Sequence, residues 1–180
     1  QKLKNKLIDV FTEIINKLDD AEEDWPSLKQ LCINLIQQDI SSTEDIATIE
    51  SILRLFRDAT GFIYLDLLEK IDQVISFFKQ VFASRHMKLK SVASECVNEL
   101  ISYGSDEKET QIFSQFIFNV LEVTLECLNK NDEDNLKSNL QVIIEISSVE
   151  PDLIAKHFKD LFILCMKIID KKDFADEKLR

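Results

Sequence analysis

Apolar residues recur at three- and four-residue intervals along almost the whole of this 180-residue chain, and a pattern of that period is compatible with helices and incompatible with strands. Leu3, Leu7, Val10, Phe11, Ile14, Ile15 and Leu18 share one stripe over about residues 2–18. With only 2 Gly and 2 Pro, and 45% hydrophobic residues, the chain has little means of making hairpins or sharp turns. Long helices joined by short polar links are expected.

Those links divide the pattern into eight helices. An acidic link, Asp19 to Asp24, leads to Trp25-Pro26, which opens a second helix over about 26–38. Proline suits a first turn, where its missing N–H costs nothing. A third helix follows the cap candidates Ser41, Ser42 and Thr43 and is expected to end near Gly61, a candidate C-terminal cap. The fourth is expected from Tyr64 to Phe82, and the fifth over 87–103, stopping at Gly104. Asp106 and Glu109 have the spacing of a capping box at the head of a sixth helix, 107–129. The seventh spans about 133–148, and Glu150-Pro151 opens an eighth carrying Ile154, Phe158, Leu161, Phe162, Cys165 and Ile168. A ninth helix is expected to start at Asp173.

The second, fourth, sixth and eighth helices are expected to start near residues 26, 64, 107 and 151. That spacing lies inside or close to the roughly 40–47 residues of HEAT and armadillo repeats. The fold class expected is all-α, an α-α superhelix of four helical hairpins at about 1–39, 40–84, 85–130 and 131–172, with residues 173–180 beginning a fifth. Each hairpin buries one face within itself and another against its neighbour.

The formal net charge is −11 and the sequence pI about 4.7, which disfavours binding to phosphate backbones and favours encounter with basic partners. Cys32, Cys96, Cys127 and Cys165 form no CxxC pair and fall among apolar residues, as expected for buried free thiols. No apolar run is long enough to span a membrane. No signal peptide is apparent, and the chain reads as an internal piece of a longer protein whose terminal hairpins expose apolar surface, so that self-association is expected.

Residues 145–151, Glu-Ile-Ser-Ser-Val-Glu-Pro, followed by Leu153, Phe158, Leu161 and Leu164, resemble a hairpin of the importin-5 type of karyopherin-β. Collinear likenesses occur at Trp25-Pro26-Ser27-Leu28-Lys29, at 55–61 (Leu-Phe-Arg-Asp-Ala-Thr-Gly), and at Phe113-Ser114-Gln115-Phe116 ahead of the acidic link 131–134. The resemblance implies a nuclear transport receptor without cofactor or catalytic activity, shuttling between cytoplasm and nucleus through the nuclear envelope pore. It further implies a concave surface of second helices for the GTPase Ran and basic cargo, and a convex surface of first helices for phenylalanine-glycine nucleoporins. The regular Asp and Arg ladder of scaffold-type HEAT proteins is not apparent.

On the sixth helix Gln111, Gln115, Asn119, Glu122 and Glu126 share one face; on the expected fourth, Asp66, Glu69, Gln73 and Gln80 do the same. Stacked side by side, these strips would form a polar, acidic wall suited to a basic partner, although such faces are most often simply solvated. Phe118 falls within the strip, where cover by a neighbouring hairpin is favoured over a role as an exposed anchor. His86 and His157 are far apart in the repeat order, and two glycines cannot build a phosphate-binding loop. The other readings open at this point are a HEAT scaffold for a different assembly, such as a phosphatase complex, and an accessory domain of an enzyme.

Overall fold

A computed structural model describes residues 6, 10–15, 17, 18, 24–40 and 45–171; the cap candidates Ser41, Ser42 and Thr43, and the start of a ninth helix at Asp173, lie outside them. After a helical stretch at 10–15 come α1 (Pro26–Ile36), α2 (Ile46–Leu68), α3 (Ile71–Ala83), α4 (Met87–Ser102), α5 (Glu107–Ser114), α6 (Ile117–Lys130), α7 (Glu133–Val149), α8 (Pro151–Ala155) and α9 (Phe158–Asp170). No strand occurs among the described residues.

Two rows of helices lie against each other. In one row α2 packs on α4 and α4 on α7. In the other α1 packs on α3, and α6 on α9. Contacts of α2 with α3, of α4 with α3, α5 and α6, and of α7 with α6 and α8 join the rows. This is the all-α HEAT superhelix expected from the apolar period.

The helix ends follow from local chemistry. Pro26 and Pro151 occupy first turns. Asp45 caps α2 by accepting from Thr48 N at 3.0 Å and Thr48 Oγ1 at 2.6 Å. Asp106 accepts from the N–H groups of Lys108 and Glu109, while Glu109 reaches back to accept from Ser105 N at 2.8 Å, one residue beyond the N-cap N–H of the usual reciprocal bond. α6 closes on Asn131 at φ 57°, a left-handed position that Asn tolerates.

Three expected boundaries are corrected. Gly61 does not end a helix; α2 runs through it to Leu68. An added Cβ there would lie 2.5 Å from Tyr103 Cζ, so the residue is small because a ring from α4's end rests on it. The fourth helix therefore starts at Ile71, not Tyr64. The sixth and eighth helices are each two pieces, broken at Gln115-Phe116 and Lys156-His157. At the first break Phe116 turns inward and is buried.

That turn completes an aromatic chain between successive hairpins. Phe56 of α2 meets Phe78 of α3 at 6.1 Å between centroids, and Phe116 lies 5.8 Å from Phe78 and 5.7 Å from Phe82. Each ring pair adds about 0.5–1.5 kcal/mol beyond area burial.

The first-helix row is joined by polar contacts as well. Thr12 Oγ1 donates to Asp58 at 2.6 Å, Arg57 pairs with both Asp58 and Glu95, and Ser138 donates to Glu95. Asn98 Nδ2 donates to Glu145 at 2.8 Å, and buried Asn139 donates to Ser91 at 2.9 Å. A seam of ion pairs and hydrogen bonds thus runs from the N-terminal helical stretch through α2 and α4 to α7, where the sequence showed no regular ladder.

Replacing Phe116→Ala should cost about 3–5 kcal/mol in urea unfolding, because the ring joins two hairpins. A loss below about 1 kcal/mol would show that the interface closes without it.

Candidate functional site

The structure redistributes the expected members of the polar wall over both rows. Asp66 lies near the end of α2, Glu69 in the link after it, and Gln73 and Gln80 on α3. They do not form one helix face, as expected from a fourth helix starting at Tyr64, because the chain turns at 69–70. Gln111 and Gln115 belong to α5 and its end, whereas Phe118, Asn119, Glu122 and Glu126 follow on α6.

Two grooves take in these residues. One, of about 450 Å³, has Asp66 and Glu69 facing Asp24, Lys29, Gln30 and Gln37 of the α1 region. Lys29 bridges Asp24 at 3.0 Å and Asp66 at 3.1 Å and lies 5.5 Å from the centre of the Phe62 ring. Its pKa is raised, chiefly by the hydrogen bonds to Asp24 and Asp66. Gln37 reaches across to Gln73 at 3.3 Å, which ties α1 to α3.

The other groove, of about 340 Å³, lies along α6. Asn119, Glu122 and Glu126 line it together with Phe82 and Lys90. Glu126 accepts from Lys130 at 2.6 Å and Lys90 at 2.9 Å, and these bonds, Lys130 first, hold its carboxyl below the ordinary range. Its charge is thereby spoken for within the fold. Glu122 is exposed and makes no ion pair or hydrogen bond among the described residues. One turn earlier, Phe118 is 46% exposed. The cover by a neighbouring hairpin favoured from sequence is absent among the described residues. Gln115 and Phe118 line neither groove; Gln115 folds back onto Ile112 O at 2.7 Å.

Lys29 and Lys90 were missed from sequence. Their signal is the repeat itself: Lys90 stands at the start of a first helix and meets Glu126 at the end of the second helix of the same hairpin. Such a pair is visible only once the hairpin is closed.

Chemistry of other kinds finds little support in these side chains. Burial pushes the thiol of Cys32 up to about 12 and that of Cys127 to about 11, and raises Cys96 as well, so none is poised as a thiolate nucleophile. Cys165 corrects the expectation of four buried thiols: it is exposed. His86 immediately precedes α4, with no capping bond from its side chain, and His157 sits in the break before α9. No group of three or more His, Cys, Asp or Glu among the described residues could hold a metal ion. No helix among them is long and apolar enough to cross a membrane.

The family model of IPO5-like TPR repeats matches residues 1–164. The chain belongs to that family. Its first helices α2, α4 and α7 begin 41 and 46 residues apart, longer than the 34 residues of a tetratricopeptide unit and within the HEAT range, so this IPO5-like chain is HEAT-type in geometry. No curated protein and no solved structure matches it. Membership supports a karyopherin or HEAT-repeat role with protein partners, and the family is of the transport-receptor kind rather than an enzyme class.

Glu126→Gln should lower the melting temperature at pH 7. Because the carboxyl is held below its ordinary value, the stability that it contributes is present above that value and lost as pH falls through the lowered one. Wild type and variant should therefore converge in acid. A difference that persists below the whole carboxylate range would rule out the charge-assisted bridge.

Proposed function

We propose that this chain is part of a nuclear import receptor that binds Ran and basic cargo on its second-helix row and phenylalanine-glycine nucleoporins on its first-helix row. Such a receptor shuttles between cytoplasm and nucleus through the pore. On this proposal the chain comprises four hairpins, at about 1–39, 40–84, 85–130 and 131–172. The IPO5-like family supports the class of protein. The observation that carries the choice of surface is Glu122, without a partner among the described residues, beside exposed Phe118 on α6, in a wall where Asp66 and Glu126 are already neutralised by lysines.

An arginine-bearing segment suits that pair. Residues one helical turn apart are surface neighbours. A guanidinium can lie on an aromatic ring while donating to a carboxylate. Asn119, half-buried in the same groove, offers a further acceptor. Exposed Glu69 would serve a second basic residue at the α1 groove.

A second reading, a HEAT scaffold such as that of a phosphatase complex, is favoured by one observation, the Arg57–Asp58–Glu95 seam. It predicts partners indifferent to guanine nucleotide.

Two measurements decide between these. An arginine-rich peptide titrated by fluorescence anisotropy should bind with strong salt dependence. The double variant Phe118→Ala/Glu122→Gln should weaken it at least tenfold, a little over 1.4 kcal/mol. Ran loaded with GTP should bind the chain more tightly than Ran loaded with GDP. Equal binding of the two nucleotide forms, or none, removes the receptor reading of this segment; unchanged peptide affinity in the double variant removes the choice of surface.

A further inference from the structure

The chain is acidic along most of its length, with 33 Asp and Glu in 180 residues. One stretch departs from this. From Gln73 to Ser94 there is no Asp or Glu, and the same 22 residues carry Lys79, Arg85, His86, Lys88 and Lys90.

The fold gathers this charge in the middle of the stack, at one edge. Lys79 stands one turn before the end of α3, Arg85 lies in the link 84–86, and Lys88 is in the first turn of α4. The three link residues hold the two helix ends within about 14 Å of each other, so these cations share one end of the hairpin. All three are exposed, and their side chains make no ion pair or hydrogen bond among the described residues. Lys90 and Lys130 differ, because both are held by Glu126.

The start of α4 adds to the positive field. α2, α5 and α7 each follow an Asp whose carboxylate accepts from first-turn N–H groups. α4 follows His86, with no side-chain cap and no acid in its first turn, so no side chain of its own opposes the positive end of its dipole.

The neighbouring links limit what fits there. Ile40 N donates to Gln80 Oε1 at 3.3 Å, which sets the link that holds Asp39 beside the end of α3. On the other side Cys127 Sγ lies 3.4 Å from Met87 Sδ, and Asp132 N donates to Cys127 O at 3.0 Å. Asn139 reaches Ser91 at 2.9 Å, so Asp132 and the acidic first turn of α7 flank the start of α4. A long polyanion such as a nucleic acid strand would run onto those acids and be repelled. A short run of carboxylates fits between them, and Arg85 can receive one of these with two parallel bonds.

We infer that the α3–α4 link is a docking site for a short acidic segment of a partner protein, with its carboxylates on Lys79, Arg85 and Lys88. The site does not use Glu122 or Phe118 and takes the opposite charge. It stands whether or not the chain is an import receptor.

Fluorescence anisotropy with a labelled glutamate-rich peptide tests this. At physiological ionic strength the screening length is about 8 Å, which mutes the more distant acids of the chain. Saturable binding that weakens with added salt is expected. Arg85→Glu/Lys88→Glu should raise the dissociation constant at least tenfold, and Arg85→Gln/Lys88→Gln should act in the same direction. Acids at a helix start are favourable, so the circular dichroism melt should be unchanged or raised. Lys108→Glu, at another exposed lysine whose side chain has no partner among the described residues, should leave the affinity as it is. Failure of the peptide to bind, or an equal loss from Lys108→Glu, overturns the inference. Tighter binding of a single-stranded oligonucleotide of the same charge also overturns it, since the patch would then be a phosphate site.

Discussion

Burial of α4 on several sides is the constraint from which the rest of the stack follows. Ten of its sixteen residues are buried, and it touches α2, α3, α5, α6 and α7. Ser91, Ala93, Ser94 and Cys96 are small enough to let neighbouring backbones approach, while Leu89, Val92, Val97, Leu100 and Ile101 fill the spaces between. Serines in such a helix need partners. Ser94 Oγ donates to Lys90 O at 3.1 Å, and Ser91 Oγ accepts from Asn139 at 2.9 Å, so the close approach leaves few polar groups unsatisfied. With α4 fixed, the first helices before and after it can only line up on either side, and the second helices are carried into their own row.

Polar and apolar terms divide the work between the two rows. The second helices meet through rings, Phe78, Phe82 and Phe116, where displacement of water is the main driving force. The first helices meet partly through the Arg57 seam and the Asn98 and Asn139 amides. Removing one member of such a seam leaves a half-buried charge without its partner, which costs more than the seam contributes. Glu99 shows the strain of that arrangement: burial raises its pKa, Arg57 opposes the rise, and Glu145, Asp58 and Glu95 add to it. The charges there are consumed by the fold.

The all-α fold class and the roles of Pro26 and Pro151 were legible because they depend on period and on the chemistry of a first turn. What escaped depended on contacts between distant residues. Gly61 has the same sequence signature whether it ends a helix or makes room for Tyr103, and the misplacement of Asp66 and Glu69 followed from that one ambiguity. Phe116 reads as one more apolar residue of a continuous helix; only the rings of α3 show why the chain turns there. Ser91, Asn98 and Asn139 are polar and nevertheless buried, which only the helices packed on them reveal. For the site, Glu122 and Glu126 look alike in sequence, four residues apart on one strip, yet Glu126 is bridged by Lys90 and Lys130 and Glu122 makes no ion pair among the described residues. Phe158 and Phe162 took their places in an apolar stripe, but which half of a wide stripe faces the core is set by the helix alongside.

The central claim is that proteins are bound on the second-helix row, at α6. Hydrogen–deuterium exchange of the chain, alone and saturated with Ran–GTP or an arginine-rich peptide, measures this most directly. The account predicts added protection at the amides of α6 and of the adjoining end of α3, with α2, α4 and α7 unchanged. Protection gained on α2, α4 or α7 instead, with α6 exchanging as before, would place the binding surface on the opposite row and contradict it.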